Sequence, residues 1–289
     1  MLFFLTIDFV RNSAVMGFIT AETRDWSPFL PTPFDLMVAP NGARLQKADH
    51  SALPITQAEI IETARRCEIA GATAIHVHVR DEAAQHSIEP NRYAELVAEL
   101  VETTTMRIQI STEAADVFDV ETQLTCLSSV TADEASVSLR EISRSPELFA
   151  ETYETAEQRG IEVQHILYSA DEVTELLRKF DGGEIPEQNR RAIFVLGRYA
   201  KDQQSSVGDL TLFLRKMGAD HLQWSVCAFG KSEQDCLLAA LENGGHARIG
   251  FENNRMSPTG DVYESNEASV AAFVERAAKA GFSPARDAL

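Results

Sequence analysis

From position 36 onward, short apolar or β-branched runs alternate with longer stretches in which apolar residues recur every three or four positions. The first pattern is that of a buried strand and the second that of an amphipathic helix. Residues 36–39 form an apolar run ended by Pro40-Asn41-Gly42, a strand leaving into a tight turn. Thr56-Gln57-Ala58-Glu59 is a capping box that opens a helix to about residue 70, closed by Gly71. Strand patterns follow at 73–81, 107–111, 135–139, 161–168, 192–196, 221–227 and 246–251. Helical patterns separate them at 90–102, 115–126, 146–159, 171–180, 207–217 and 232–242, and a last one covers 266–280.

Eight strand patterns, each followed by a helical one across short loops, predict parallel strands joined by right-handed crossovers. That repeat is the signature of a (β/α)₈ TIM barrel in a single domain, residues 35–289. An open doubly wound sheet fits the alternation less well, because no Gly-x-Gly-x-x-Gly follows the first strand. Residues 1–34 do not share the pattern. Pro28, Pro31 and Pro33 interrupt regular structure there, and the segment reads as an irregular N-terminal extension.

Composition narrows the function classes. With 44% hydrophobic and 24% charged residues among 289, the chain has an ordinary globular make-up. A formal net charge of -18 opposes binding to nucleic acid or to an anionic membrane surface. Small anionic ligands stay open, since local arginines override a net field. Cys67, Cys126, Cys227 and Cys236 are scattered without a Cys-x-x-Cys pair, which suits buried thiols in a reducing compartment. The apolar opening at residues 1–7 lacks a basic lead and soon meets Asp8 and Arg11, so it makes a poor signal peptide. A cytoplasmic protein is expected.

In a barrel of this kind, functional groups collect at the C-terminal ends of the strands. Asn41 and Arg44 fall there, as do His76 and His78, Ser111, Thr112 and Glu113, Ser138 and Arg140. Residues 162–165, Arg198 and Glu252-Asn253-Asn254 complete the set. In Thr-Ala-Ile-His-Val-His-Val-Arg-Asp, residues 73–81, the two histidines stand two apart on a strand and face the same side. Barrel closure sets the last strand beside the first, so Glu252 can reach a metal held on the second. Two histidines and one glutamate with a position left open is the pattern of a catalytic zinc site. Arg248, an even number of residues from Glu252, either pairs with a strand-end carboxylate or anchors a substrate carboxylate. His246 comes too early in its strand and is placed at the lower rim, while His50, His86 and His221 have no motif context.

Four blocks carry a resemblance: Ala39-Pro40-Asn41-Gly42-Ala43-Arg44, Leu53-Pro54-Ile55-Thr56, Ala70-Gly71-Ala72 with His76-Val77-His78-Val79-Arg80-Asp81, and residues 245–254. Together they resemble the β-keto acid cleavage enzymes, a family that includes the 3-keto-5-aminohexanoate cleavage enzymes. The resemblance implies a zinc-dependent barrel, usually a homotetramer. Such an enzyme condenses a β-keto acid with acetyl-CoA and releases acetoacetate and a new acyl-CoA. It implies His76, His78 and Glu252 as zinc ligands, Arg248 as a catalytic arginine, and Ser111 and Thr112 as binders of the keto acid carboxylate. It places Glu162 near a glutamate of the family's active site. CoA is expected across the loops after the sixth to eighth strands, with Arg198 and Lys231 for its phosphates.

Two positions depart from the family pattern. Asn253 stands where the family has an aspartate, and an amide is no general base at neutral pH. Arg44 stands where the family has a glutamate, which argues for a neutral or anionic keto acid over a cationic one. Two other readings remain open at this point: a zinc barrel lyase or hydrolase without CoA, and a non-catalytic metabolite-binding barrel.

Overall fold

The computed structural model describes residues 30–198, 202 and 204–285. Most of the expected irregular extension, through residue 29, therefore lies outside the described residues. Its end is regular: β1 (Thr32–Phe34) pairs in parallel with β12 (Phe282–Pro284) beside the barrel.

Eight parallel strands close the barrel, as the alternation predicts. They are β2 (Leu36–Val38), β3 (Ala74–Val77), β6 (Arg107–Ser111), β7 (Glu134–Ser138), β8 (Glu162–Leu167), β9 (Arg191–Leu196), β10 (Gln223–Ala228) and β11 (His246–Ile249). Closure brings β11 against β2, with Arg248 opposite Met37, and β2 against β3. Around them lie α1 (Gln57–Ala70), α2 (Pro90–Thr103), α3 (Val120–Ser129), the short α4 (Leu139–Ile142), α5 (Pro146–Arg159), α6 (Ala170–Asp181), α7 (Val207–Met217), α8 (Glu233–Glu242) and α9 (Asn266–Lys279). The capping box of α1 forms as the sequence predicts: Thr56 Oγ1 accepts from the Glu59 amide, and Glu59 Oε2 accepts from the amide of Thr56.

Two departures from the predicted elements matter for the site. The helix expected from residue 115 starts at Val120, capped by Asp119, whose carboxylate accepts from the Thr122 amide at 2.8 Å. The residues ahead of it, Ala115 and Asp116, adopt left-handed backbone with φ of 49° and 65°. They make a strained loop that hands Glu113 to the barrel mouth. The histidine strand also breaks early. β3 ends at Val77, and β4 (Val79–Arg80) turns away to pair with β5 (His86–Ser87).

Outward-facing strand residues such as Ile75, Ile108, Val163 and Phe194 pack against the helices in one continuous core. The interior is divided. Ile166, Ile193, Val195, Cys227 and Phe229 form an apolar wall on β8 to β10. Two residues lower on β8 and β10 runs a polar chain: Gln109 Nε2 donates to Gln164 Oε1 at 3.1 Å, and Gln164 Nε2 to Ser225 Oγ at 3.3 Å. The floor is closed by Glu134, which is 1% exposed and receives Arg107 and Arg191 at 3.0 Å each. Burial alone would raise its pKa, but the two guanidiniums hold it below the ordinary carboxylate range. A charge this deep persists only because it is paired. The four cysteines are buried and unbridged. Among the described residues, no helix is long and apolar enough to cross a membrane.

Candidate metal centre and active site

His76 and His78 are buried at the upper end of β3, with their Nε2 atoms 3.0 Å apart. Gln109 fixes the state of the first. Its amide nitrogen is engaged by Glu134 and Gln164, so its oxygen is the atom that faces His76 Nδ1, at 2.8 Å. An oxygen there only accepts, so Nδ1 carries the proton and Nε2 keeps its lone pair. Burial pushes His76 down to about 4 against the pull of Glu252, and pushes His78 well below its ordinary value. Both imidazoles are neutral at pH 7, which is the form that binds a metal.

Glu252 arrives by a different route from the one strand alternation implies. β11 stops at Ile249, and a turn follows in which the amides of Asn253 and Asn254 donate to Gly250 O. Gly250 has φ of 137°, and a Cβ on it would stand 2.4 Å from Ala39 O. The Glu252 amide donates to that same Ala39 O, and the Phe251 amide to Asn266 Oδ1. The result sets Glu252 Oε1 3.1 Å from Arg248 Nη2, with Oε2 3.6 Å from His76 Nε2 and 3.7 Å from His78 Nε2. Gly250→Ala is expected to cost roughly 1–3 kcal/mol through backbone strain and to weaken metal binding by misplacing Glu252. A thermal melt with and without added zinc checks this; an unchanged melting temperature in both would refute the close-approach account.

The donor set fits a divalent cation. Three ligand atoms lie within 4.8 Å of one another, and Glu252 Oε2 is buried without a hydrogen-bond partner. Ligands about 2.0–2.2 Å from a tetrahedral centre stand roughly 3.4 Å apart, close to the separations found here. Burial would raise the Glu252 pKa, but Arg248 and His76 hold it below the ordinary range, so the carboxylate is ionised. A buried anionic oxygen without a donor is costly unless a cation satisfies it.

A cavity of about 400 Å³ opens above this group at the C-terminal mouth. It receives several of the predicted residues. Ser111, Arg248 and Asn253 line it, and Arg44 and Arg198 stand at its mouth. Asn253 is 6% exposed, and neither amide atom of its side chain has a partner. Among the described residues, Arg44 Nη2 meets only Asp116 Oδ2, at 3.3 Å, in an exposed pair. Arg198 sits over the Phe229 ring.

Others are not brought in. Thr112 Oγ1 is turned away to donate to Ser136 O at 3.0 Å, because successive strand-end side chains point to opposite faces. Lys231 is exposed outside the cavity, although its neighbour Gly230 lines the mouth. Glu162 is the main correction. It begins β8, is exposed, and is ion-paired with Arg191 beside the barrel floor. It shares a face with Ile166, which does line the cavity, but four residues of strand put it about 13 Å lower. Glu162→Gln is therefore expected to change kcat/KM by less than about twofold, measured by steady-state kinetics. A loss of a hundredfold would return it to the site.

Four further residues contribute: Asn41 and Glu113, already placed at strand ends by the sequence, and Gln109 and His86, which carry no local motif. Gln109 and Asn41 orient the histidines, the latter by donating from Nδ2 to His78 O at 2.9 Å. His86 packs on the His78 ring and holds Glu113 O at 2.7 Å. Glu113 places Oε2 4.0 Å from His78 Nε2 and lines the cavity. Burial, with Glu252 and Glu141 nearby, raises its carboxyl to about 7.

The chain is similar to several known proteins. A family model described as beta-keto acid cleavage enzyme matches residues 34–288. A 3-keto-5-aminohexanoate cleavage enzyme from Fusobacterium nucleatum subsp. nucleatum is 25% identical over 254 residues, 83% of this chain and 89% of that one. A 3-oxoadipate:acetyl-CoA acetyltransferase from Cupriavidus necator is 38% identical over 65 residues, 22% of this chain and 23% of that one. Among solved structures, a ternary complex of ObcA with a C4-CoA adduct and oxalate superposes with a TM-score of 0.65 at 16% identity. The match spans 81% of this chain and 65% of ObcA, and it speaks for the barrel fold alone.

Proposed function

The chain belongs to the beta-keto acid cleavage enzyme family, and on that premise we propose that it binds zinc at His76, His78 and Glu252 and condenses a neutral or anionic β-keto acid with acetyl-CoA. The products are acetoacetate and a new acyl-CoA. The observation that carries this reading is the convergence of two neutral imidazole nitrogens and an unpartnered carboxylate oxygen beneath the cavity. Acetyl-CoA is supported by the name of the Cupriavidus necator relative. A homotetramer, as the resemblance implies, and a cytoplasmic location, as the scattered cysteines suit, belong to the same proposal.

Zinc bound there would supply Lewis-acid polarisation of the β-keto carbonyl. The chain's own groups do the rest. Arg248, whose Nε is buried without a partner, and Ser111 orient the carboxylate of the keto acid. The C2 proton goes to Glu113, a carboxylate at the cavity wall, since Asn253 lacks the basicity and Glu162 lies below the site. The C2 carbon then forms a bond to the acetyl carbonyl carbon, and CoA leaves as the thiolate. That thiolate attacks the original ketone carbon; the bond from it to C2 breaks, and C2 recovers the proton from Glu113. Acetoacetate departs and the remaining acyl group stays on CoA, so atoms and protons balance. Asn253 donates from its unpartnered amide to the developing oxyanion. Lys231, beside the mouth, is proposed for the CoA phosphates.

The test is acetoacetate release from purified enzyme with a panel of β-keto acids. Release that requires both acetyl-CoA and a keto acid supports the reading. Keto acid cleavage that proceeds equally without a CoA thioester favours a zinc lyase instead.

A further inference from the structure

Resting on the reading of this cavity as a β-keto acid site, we infer that its substrate is a dicarboxylate, whose second carboxylate is held by Arg44 and Arg198 at the mouth. The cavity has two cationic poles. Arg248 and the metal-binding group lie at its base, and Arg44, Arg198 and Arg255 lie around its opening. In a chain of net charge -18, the four arginines of this lining are matched by only four acidic side chains. A divalent cation at the base adds two positive charges, so the loaded cavity complements a dianion.

The two mouth arginines both line the cavity. The charge of Arg198 acts on both Glu113 and Glu252, and that of Arg44 acts on Glu113 and His86. They come from the loops after β9 and β2, which are three strands apart around the barrel. A chain rising from the base thus meets a guanidinium from each side. Arg198 lies over the face of Phe229, with its centre 5.3 Å from the ring centroid, a placement that leaves in-plane N–H donors available to a carboxylate. Among the described residues, Arg44 is held only by Asp116, whose side chain is 92% exposed. Such an exposed pair is weak and yields readily to a better-placed anion. Arg198 lines the same cavity as Arg248 and Glu252, which reassigns it from the CoA to the keto acid. Lys231, exposed outside the cavity, is the better-placed phosphate partner.

The experiment compares two β-keto acids of equal length, one ending in a carboxylate and the other in the isosteric carboxamide. Binding to zinc-loaded full-length protein is measured by calorimetry for the wild type, Arg44→Met and Arg198→Met, with CoA-dependent acetoacetate release followed in parallel. The wild type is expected to prefer the dicarboxylate by at least about thirtyfold, and each variant to cut that preference at least about tenfold. The KM for acetyl-CoA should move by less than about twofold. Equal affinity for the two acids would overturn the inference. So would an intact preference with a raised KM for acetyl-CoA, which would return both arginines to the phosphates. A clear preference that tracks both arginines, without any acetoacetate, would uphold the clamp and sink the proposed reaction instead.

Discussion

His78→Ala is expected to abolish zinc binding and to lower kcat/KM by roughly a thousandfold or more, since a Lewis acid contributes several kcal/mol to such a transition state. His78 is the cleaner of the two histidines to remove. His76 is tied through Gln109 to Glu134 and Gln164, so its loss would strand a buried amide. Among the described residues, His78 Nδ1 has no partner, and its Nε2 meets only His76 and the two carboxylates. The protein should therefore stay folded, at a cost of roughly 1–3 kcal/mol for the vacated volume. Metal analysis, circular dichroism and kinetics on one preparation separate the effects. A folded variant that keeps both zinc and activity would show that the metal, if present, is held elsewhere.

Glu113→Gln carries the second large effect. The replacement keeps the shape of the side chain and removes its capacity to take a proton. A general base contributes roughly 10²–10⁴-fold, so kcat should fall by that amount while zinc content is unchanged. The step can be isolated: exchange of the C2 protons of the keto acid with D2O, followed by NMR without acetyl-CoA, should be fast in the wild type and nearly absent in Glu113→Gln. Normal exchange in the variant would assign the proton to another group. The strained Ala115-Asp116 backbone and the His86 contact to Glu113 O show how firmly this position is built.

Why the sequence placed Glu113 at a strand end without giving it a role, when the histidines had one, follows from where each stands. His76 and His78 sit at a strand end, where alternation dictates a shared face. The alternating runs and their glycine stops likewise lead to a closed parallel barrel, and α5 and α7 span the stretches their periodicity predicts. Glu113 lies in a loop, where no period applies and direction depends on left-handed residues that are not glycine. Glu162 shows the complementary failure. Its alternation with Ile166 is real, but a period of two says which face a residue takes and not how far along the strand it lies. Glu252 was legible for a partly different reason than strand alternation offers, because Gly250 ends the strand and the turn re-aims the side chain. The polar chain through Gln109, Gln164 and Ser225 runs between strands distant in sequence, so only the closed barrel reveals it.

The most direct test of the central claim is metal stoichiometry with ligand identity: zinc per chain in the purified wild-type protein, and X-ray absorption at the zinc edge. One zinc per chain, bound by two imidazoles and oxygen donors at about 2.0–2.2 Å, is the predicted result. Failure to take up zinc on reconstitution, or a sphere without imidazole, would contradict the site at His76, His78 and Glu252.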